Sequence, residues 1–184
     1  MLTDAAGVLS RVDAQTNTVV AKIEVAPNSY AVAYDSNSHS LWVTNTGARG
    51  ATGRGAIQRV DPETNKVIAT IAVGPRPRFL TAGEFGIWTL NQGDGTVSRI
   101  DPKTNQVVAT IDAGVPGEGG DIHAGGGRVW VRATKTLLQS IDPGTNRIVE
   151  VFGPPAGSGA VTVAGDYVWV TAHDVQKVWV IGGR

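Results

Sequence analysis

The side chains best equipped for chemistry stand in two short segments, Gly117-Glu118-Gly119-Gly120-Asp121-Ile122-His123 and, upstream of it, Arg76-Pro77-Arg78. Asp121 and His123 are two residues apart, so on an extended strand both side chains point to one face. A carboxylate and an imidazole held this way can bind a divalent cation or share a proton in acid–base work, and Glu118 could add a further oxygen ligand. A divalent ion such as Mg, Ca or Zn is therefore the expected cofactor, if one is used. Arg76 and Arg78 could hold a carboxylate or phosphate through paired hydrogen bonds, or steady charge developing on an oxygen. His173, followed by Asp174, is a second candidate ligand or base. Each has a plainer alternative: Asp121 and His123 bonding loop backbone, the arginines pairing with Glu84, Glu118 or Asp121, and His173 as a surface histidine. Gly157-Ser158-Gly159 lacks the strand–turn–helix setting of a nucleophile elbow, which excludes a serine hydrolase of that type.

These residues stand out because most of the chain repeats. Asp101-Pro-Lys-Thr-Asn105 recurs as Asp61-Pro-Glu-Thr-Asn65, Asp142-Pro-Gly-Thr-Asn146 and, in worn form, Asp13-Ala-Gln-Thr-Asn17, with the leading Asp spaced by 48, 40 and 41 residues. Trp42, Trp88, Trp130 and Trp169 follow a matching period of 46, 42 and 39. Between these markers lie short β-branched or aromatic runs broken by Gly, Asn, Asp and Pro, with no helical periodicity. Each unit reads as four strands, and about forty residues per four-stranded unit predicts a β-propeller blade. The fold class expected is all-β, one propeller domain over residues 1–184, with units near 1–25 (partial), 26–73, 74–113, 114–152 and 153–184 (partial).

Repetition separates scaffold from site. The Asp-Pro-x-Thr-Asn segment is the turn from third to fourth strand: Asp bonds the backbone two residues on, Pro presets φ, and Asn accepts the left-handed conformation. The tryptophans belong between blades. What occurs only once lies in the loops that meet at one end of the channel. There Asp121, His123, Arg76 and Arg78 are the expected catalytic residues, and Asp121, His123 and Glu118 the expected metal ligands. Tyr30, Asn91, Arg132 and His173 are expected to contact a ligand at the same rim. His39, in the turn Asp35 to Ser40, belongs on the opposite face.

The text "VSRIDPKTNQVVATI", followed by a Trp-bearing strand such as Val129-Trp130-Val131, resembles bacterial propellers of YVTN-type repeats, a group that includes lactonase-like enzymes and streptogramin (virginiamycin B) lyase. The resemblance covers nearly the whole chain. Proteins of that group are often secreted or periplasmic, though the sequence leaves localisation open, and the enzymes among them imply a small-molecule substrate. Asp121 and His123 fall where the lyase has its Glu-x-His pair; the lyase's further histidine, one blade earlier, has no counterpart in Arg76 to Thr81. A metal-assisted hydrolase or lyase acting on an ester, lactone or phosphoester is the leading expectation. The alternative is a non-catalytic propeller that binds a ligand or a protein partner.

Sixteen basic and sixteen acidic residues give no net charge and no long run of one sign, so neither nucleic acid nor a membrane surface is an expected partner. The opening residues Met1 to Gly7 carry no basic stretch leading into an apolar one, and cysteine is absent, so no export signal and no disulfide are expected. The chain opens with a third and a fourth strand and closes with a first, a second and a third. That is one strand more than four blades use. Apolar end faces and a free edge predict self-association, a dimer completing a propeller ring; the alternatives are a four-bladed ring within one chain, or a fragment of a longer parent that begins inside a blade.

Overall fold

The computed structural model describes residues 6–47, 53–83, 85–114, 117, 119–132 and 134–182. Its seventeen strands form five antiparallel sheets, in which every strand pairs with its neighbour in sequence. Blade A pairs β1 (Val8–Asp13) with β2 (Thr18–Glu24). Blade B holds β3 (Ser29–Asp35), β4 (Ser40–Asn45), β5 (Ala56–Asp61) and β6 (Lys66–Ala72). Blade C holds β7 (Pro77–Gly83), β8 (Gly86–Asn91), β9 (Thr96–Asp101) and β10 (Gln106–Asp112). Blade D holds β11 (Asp121–Gly125), β12 (Arg128–Arg132), β13 (Leu138–Asp142) and β14 (Arg147–Phe152). Blade E holds β15 (Val161–Ala164), β16 (Tyr167–Ala172) and β17 (Lys177–Ile181), with one 3-10 turn, His173–Val175, before β17. Among the described residues no helix is long and apolar enough to cross a membrane.

The second strands carry the core. Trp42 is buried with Ile87 and Ile100 of blade C, Trp88 with Val129, Val131 and Ile141 of blade D, and Trp130 with Val161, Val168 and Val170 of blade E. Alternate residues face the other way, so Leu41 and Val43 of β4 pack on Leu9, Ile23 and Val25 of blade A. Both faces of a central blade are thus apolar, as strands covered on two sides require. Each large side chain buried this way contributes roughly 1.5–3 kcal/mol. The innermost strands β3, β7, β11 and β15 lie side by side around the channel.

The repeated turn is made as its residue types dictate. Asp13 Oδ1 accepts the backbone N–H groups of Gln15 (2.9 Å) and Thr16 (2.8 Å), and Asp142 Oδ1 those of Gly144 and Thr145 (both 2.9 Å). Asn17, Asn65, Asn105 and Asn146 sit in the left-handed region at φ of 55 to 57°. The Thr16 backbone N–H holds the Asp13 carboxyl below the usual range; the Thr64 hydroxyl does this for Asp61, and the Thr145 backbone N–H for Asp142.

The same turn also joins blades. Arg59 donates to Pro102 O (2.7 Å) and Asn105 Oδ1 (2.9 Å) of the next blade's turn, and Arg99 repeats this on Pro143 O (2.6 Å) and Asn146 Oδ1 (2.8 Å). Each guanidinium stacks on its own blade's tryptophan, Arg59 at 5.2 Å from the Trp42 ring and Arg99 at 5.1 Å from the Trp88 ring. Arg11 makes a lone bond of the same kind to Pro62 O at 3.0 Å. A turn that reads as self-contained is therefore also a catch for the preceding blade.

Candidate functional site at the channel mouth

A cavity of about 500 Å³ opens where the inner strands of four blades converge, with Tyr30 from β3, Arg78 and Phe79 from β7, Asp121 from β11, and Ser158 and His173 from blade E among its walls. Of the residues expected from sequence, it brings together Tyr30, Arg78, Asp121 and His173.

One wall is a cation on aromatic rings. The Arg78 guanidinium lies 4.3 Å from the Tyr30 ring centroid and 5.9 Å from that of Phe79, and Arg78 donates to Tyr30 Oη at 3.2 Å. Tyr30 and Phe79 meet edge-to-face with centroids 5.6 Å apart. The Arg78 Nε is buried and has no hydrogen-bond partner among the described residues, and no described carboxylate pairs with this guanidinium.

The opposite wall is polar. Asp121 Oδ2 accepts the Val161 N–H of the next blade at 3.0 Å, and Oδ1 accepts the Ile122 N–H at 2.8 Å. Burial pushes this carboxyl above its usual range, and the two N–H groups and the nearby His123 pull it partly back. Gly120, at φ +95°, lets the chain enter β11 against β12: a Cβ there would stand 2.5 Å from the Arg132 carbonyl oxygen. On the blade E side, the His173 N–H donates to Ser158 O at 3.1 Å, and Asp174 Oδ2 accepts the Ser158 N–H at 2.8 Å, which ties the two loops together. The His173 ring is exposed, with Nδ1 3.7 Å from Asp174 Oδ1.

The other expected residues that the structure describes stand outside the cavity lining. His123 follows Asp121 on β11 without reaching it. Arg76 adopts φ +52°, and its carbonyl accepts the Gln92 N–H at 3.0 Å. Asn91 is fully buried and donates to Thr96 Oγ1 (2.9 Å) and Ser98 Oγ (2.8 Å), beneath Gly74. Arg132 is fully buried and donates to the carbonyls of Thr171 (3.1 Å), Ala156 (3.3 Å) and Gly157 (2.8 Å), so it fastens blade D to the blade E loops. Burial lowers its proton affinity and Asp174 partly restores it. Asn91 and Arg132 support the site from behind. Glu118 and Glu84 lie outside the described residues. For a divalent metal, Asp121 and His123 are the described members of the expected ligand set, and among the described residues no group of three His, Cys, Asp or Glu could hold an ion.

Phe79 and Ser158 were not expected. Phe79 had a signal: it replaces Ala31 of the preceding blade, an unrepeated aromatic beside an unrepeated arginine. Ser158 had none, because only folding brings its loop against Gly119.

No family model and no curated protein matches the chain, so its similarity to YVTN-type repeats rests on the blade text alone. Solved structures do match. BamB from Moraxella catarrhalis superposes with a TM-score of 0.76 at 13% identity, over 98% of this chain and 52% of that one. The computationally designed Ika4 protein gives 0.70 at 14% identity, over 85% of this chain and 91% of that one. Hydrazine synthase of Kuenenia stuttgartiensis gives 0.67 at 20% identity, over 90% and 49%. The chain thus spans about half the length of BamB and of the hydrazine synthase chain. At these identities the likeness establishes the architecture, and with the blade packing above it identifies the chain as a β-propeller.

Proposed function

We propose that the protein binds a small organic anion, a carboxylate on a flat or apolar body, at the channel mouth. The observation that carries this reading is Arg78: a half-buried cation whose Nε has no partner among the described residues, stacked on Tyr30 and Phe79 beside a cavity of about 500 Å³. A desolvated guanidinium gains most from a bidentate anion, and the two rings offer a surface for the body of the ligand. Asp121 and His173 on the far wall suit a hydroxyl or amide elsewhere on the molecule. The test is thermal shift and calorimetry with benzoate, benzamide and inorganic phosphate on wild type and Arg78→Gln. Benzoate should raise the wild-type melting temperature, benzamide should not, and Arg78→Gln should abolish the effect. Equal binding of the neutral amide, or an unchanged variant, would refute it.

A metal-assisted hydrolase or lyase acting on an ester, lactone or phosphoester is the second reading, favoured by the raised proton affinity of the Asp121 carboxyl beside the cavity. There Asp121 would accept or return a proton and Arg78 would steady the developing oxyanion. Alternatively, with Asp121 ionised, Asp121 and His123 would hold a divalent ion that supplies Lewis-acid polarisation. Bound metal by mass spectrometry, with ester, lactone and phosphoester assays on wild type, chelated protein and His123→Ala, decides it. No metal and identical rates in all three would end this reading.

A further inference from the structure

One row of side chains is rewritten in blade D. On the face turned to the following blade, cross-strand neighbours run Trp42, Arg59, Ala69 in blade B and Trp88, Arg99, Ala109 in blade C. Blade A keeps the same third-to-fourth pair as Arg11 and Ala21. In blade D the row reads Trp130, Ser140, Glu150. The arginine beside the tryptophan has become a serine, and the alanine on the neighbouring strand has become a carboxylate. Arg59 and Arg99 each lie over their own tryptophan, whereas among the described residues no cation lies over Trp130.

The space that a guanidinium fills in blades B and C is open here. A cavity of about 470 Å³ lies between blades D and E, at the end opposite the channel mouth, with Trp130, Phe152, Val163, Val168 and Ile181 as apolar walls. Arg128, Glu150 and Asp166 are its charged residues. Arg128 is paired with Asp142 at 3.1 Å, so the carboxylates of Glu150 and Asp166 set the sign of the site. The walls are fixed in place. Trp130 Nε1–H donates to Gly125 O at 3.1 Å, the Phe152 ring packs at 6.0 Å from the Trp130 ring, and Glu150 Oε2 accepts the Ser140 hydroxyl at 3.2 Å.

We infer that this cavity binds a small organic cation, a guanidinium on a short apolar chain, in the place that Arg59 and Arg99 fill in their own blades. The head group lies over the Trp130 ring and donates to Glu150, and the apolar chain runs along Phe152, Val163 and Val168. A planar guanidinium stacks on an aromatic face and donates in pairs to a carboxylate, which a compact ammonium does less well. The head-group contacts come from β12 and β14, well inside the chain, and are the same whatever precedes β1 or follows β17. The site shares no lining residue with the channel mouth, and its ligand has the opposite charge.

The test is the indole Nε1–Hε1 spectrum of 15N-labelled protein titrated with butylguanidinium and with neutral butylurea, the Trp130 signal being assigned through Trp130→Phe. That signal should move saturably with butylguanidinium and not with butylurea, while those of Trp42 and Trp88, already covered by Arg59 and Arg99, stay in place. Glu150→Gln should weaken binding by about tenfold or more, the scale of one lost charge-assisted contact. Ser140→Arg restores the arginine of the other blades and should raise the melting temperature and abolish binding. Arg78→Gln, at the channel mouth, should leave binding unchanged. A Trp130 signal that stays fixed under excess butylguanidinium overturns the inference, as does equal binding of butylurea or a folded Ser140→Arg protein that still binds. So does Glu150→Gln binding as tightly as wild type; this nearly isosteric variant decides the matter if Ser140→Arg fails to fold.

Discussion

Arg99→Ala is the sharpest test of how the blades are held together. The substitution removes donors to Phe85 O (2.9 Å), Pro143 O (2.6 Å) and Asn146 Oδ1 (2.8 Å), together with the stacking on Trp88. Arg99 is half-buried, so water recovers part of each bond and about 1 kcal/mol apiece is the appropriate scale. The cation–π contact adds about 0.5–1 kcal/mol, for a total of roughly 3–4 kcal/mol. Arg11 provides the internal control: it holds the same repeat position with a single exposed bond to Pro62 O and no tryptophan beneath it, so Arg11→Ala should cost about 0.5–1 kcal/mol. Urea titrations followed by tryptophan fluorescence should separate the two variants by about 1–2 M in midpoint. Asn146→Gly keeps the left-handed backbone at φ +56° but removes the side-chain acceptor, so a double-mutant cycle with Arg99→Ala should show coupling of about 1 kcal/mol. If Arg99→Ala costs no more than Arg11→Ala, or the coupling vanishes, the turn is not an inter-blade catch.

Three further outcomes follow. Asp13, Asp61 and Asp142 have folded pKa values below their unfolded ones, so their stabilisation is present above about pH 4 and is lost as pH falls through the lowered values; melting temperature should drop below about pH 4, and Asp61→Ala should flatten that drop. Asp121 has the opposite sign: its contribution is present below the unfolded pKa and is lost as pH rises through the raised folded value. Carboxyl carbon NMR should therefore show it titrating above the turn aspartates, and titration among them would contradict the burial argument. Gly120→Ala should destabilise by about 2–4 kcal/mol from positive-φ strain and collision with the Arg132 carbonyl, seen as a fall in melting temperature; an unchanged value would contradict the close approach.

Much of the fold was legible because its signals are local. A turn written Asp-Pro-x-Thr-Asn closes with its own atoms, so Asn65 and Asn105 could be assigned the left-handed conformation from type alone. Trp42 and Trp88 marked the second strands because a large apolar side chain at a fixed period needs a neighbouring blade on it. Arg59 and Arg99 were passed over, since their acceptors lie more than forty residues away and the turn looked complete without them. At the cavity, Arg78, Asp121 and His173 emerged as departures from the repeat, and Tyr30 as the aromatic expected to face the channel. Asn91 and Arg132 were placed at the right end of the right strands, but whether a polar side chain turns into the cavity or behind it depends on loop paths that the alternation of a strand does not encode. Arg132 turns behind, onto carbonyls left free where the blade D and blade E loops meet.

The claim that the channel mouth takes an anion through Arg78 is tested most directly by the arginine Nε–Hε spectrum of 15N-labelled protein, titrated with benzoate and assigned with Arg78→Lys. One signal, that of Arg78, should move saturably toward a hydrogen-bonded shift while those of Arg59 and Arg99, whose Nε–H groups already donate to Ser40 Oγ and Phe85 O within their own blades, stay in place. An Arg78 signal that stays fixed under excess benzoate, or a common non-saturating drift of all the arginines, would contradict it.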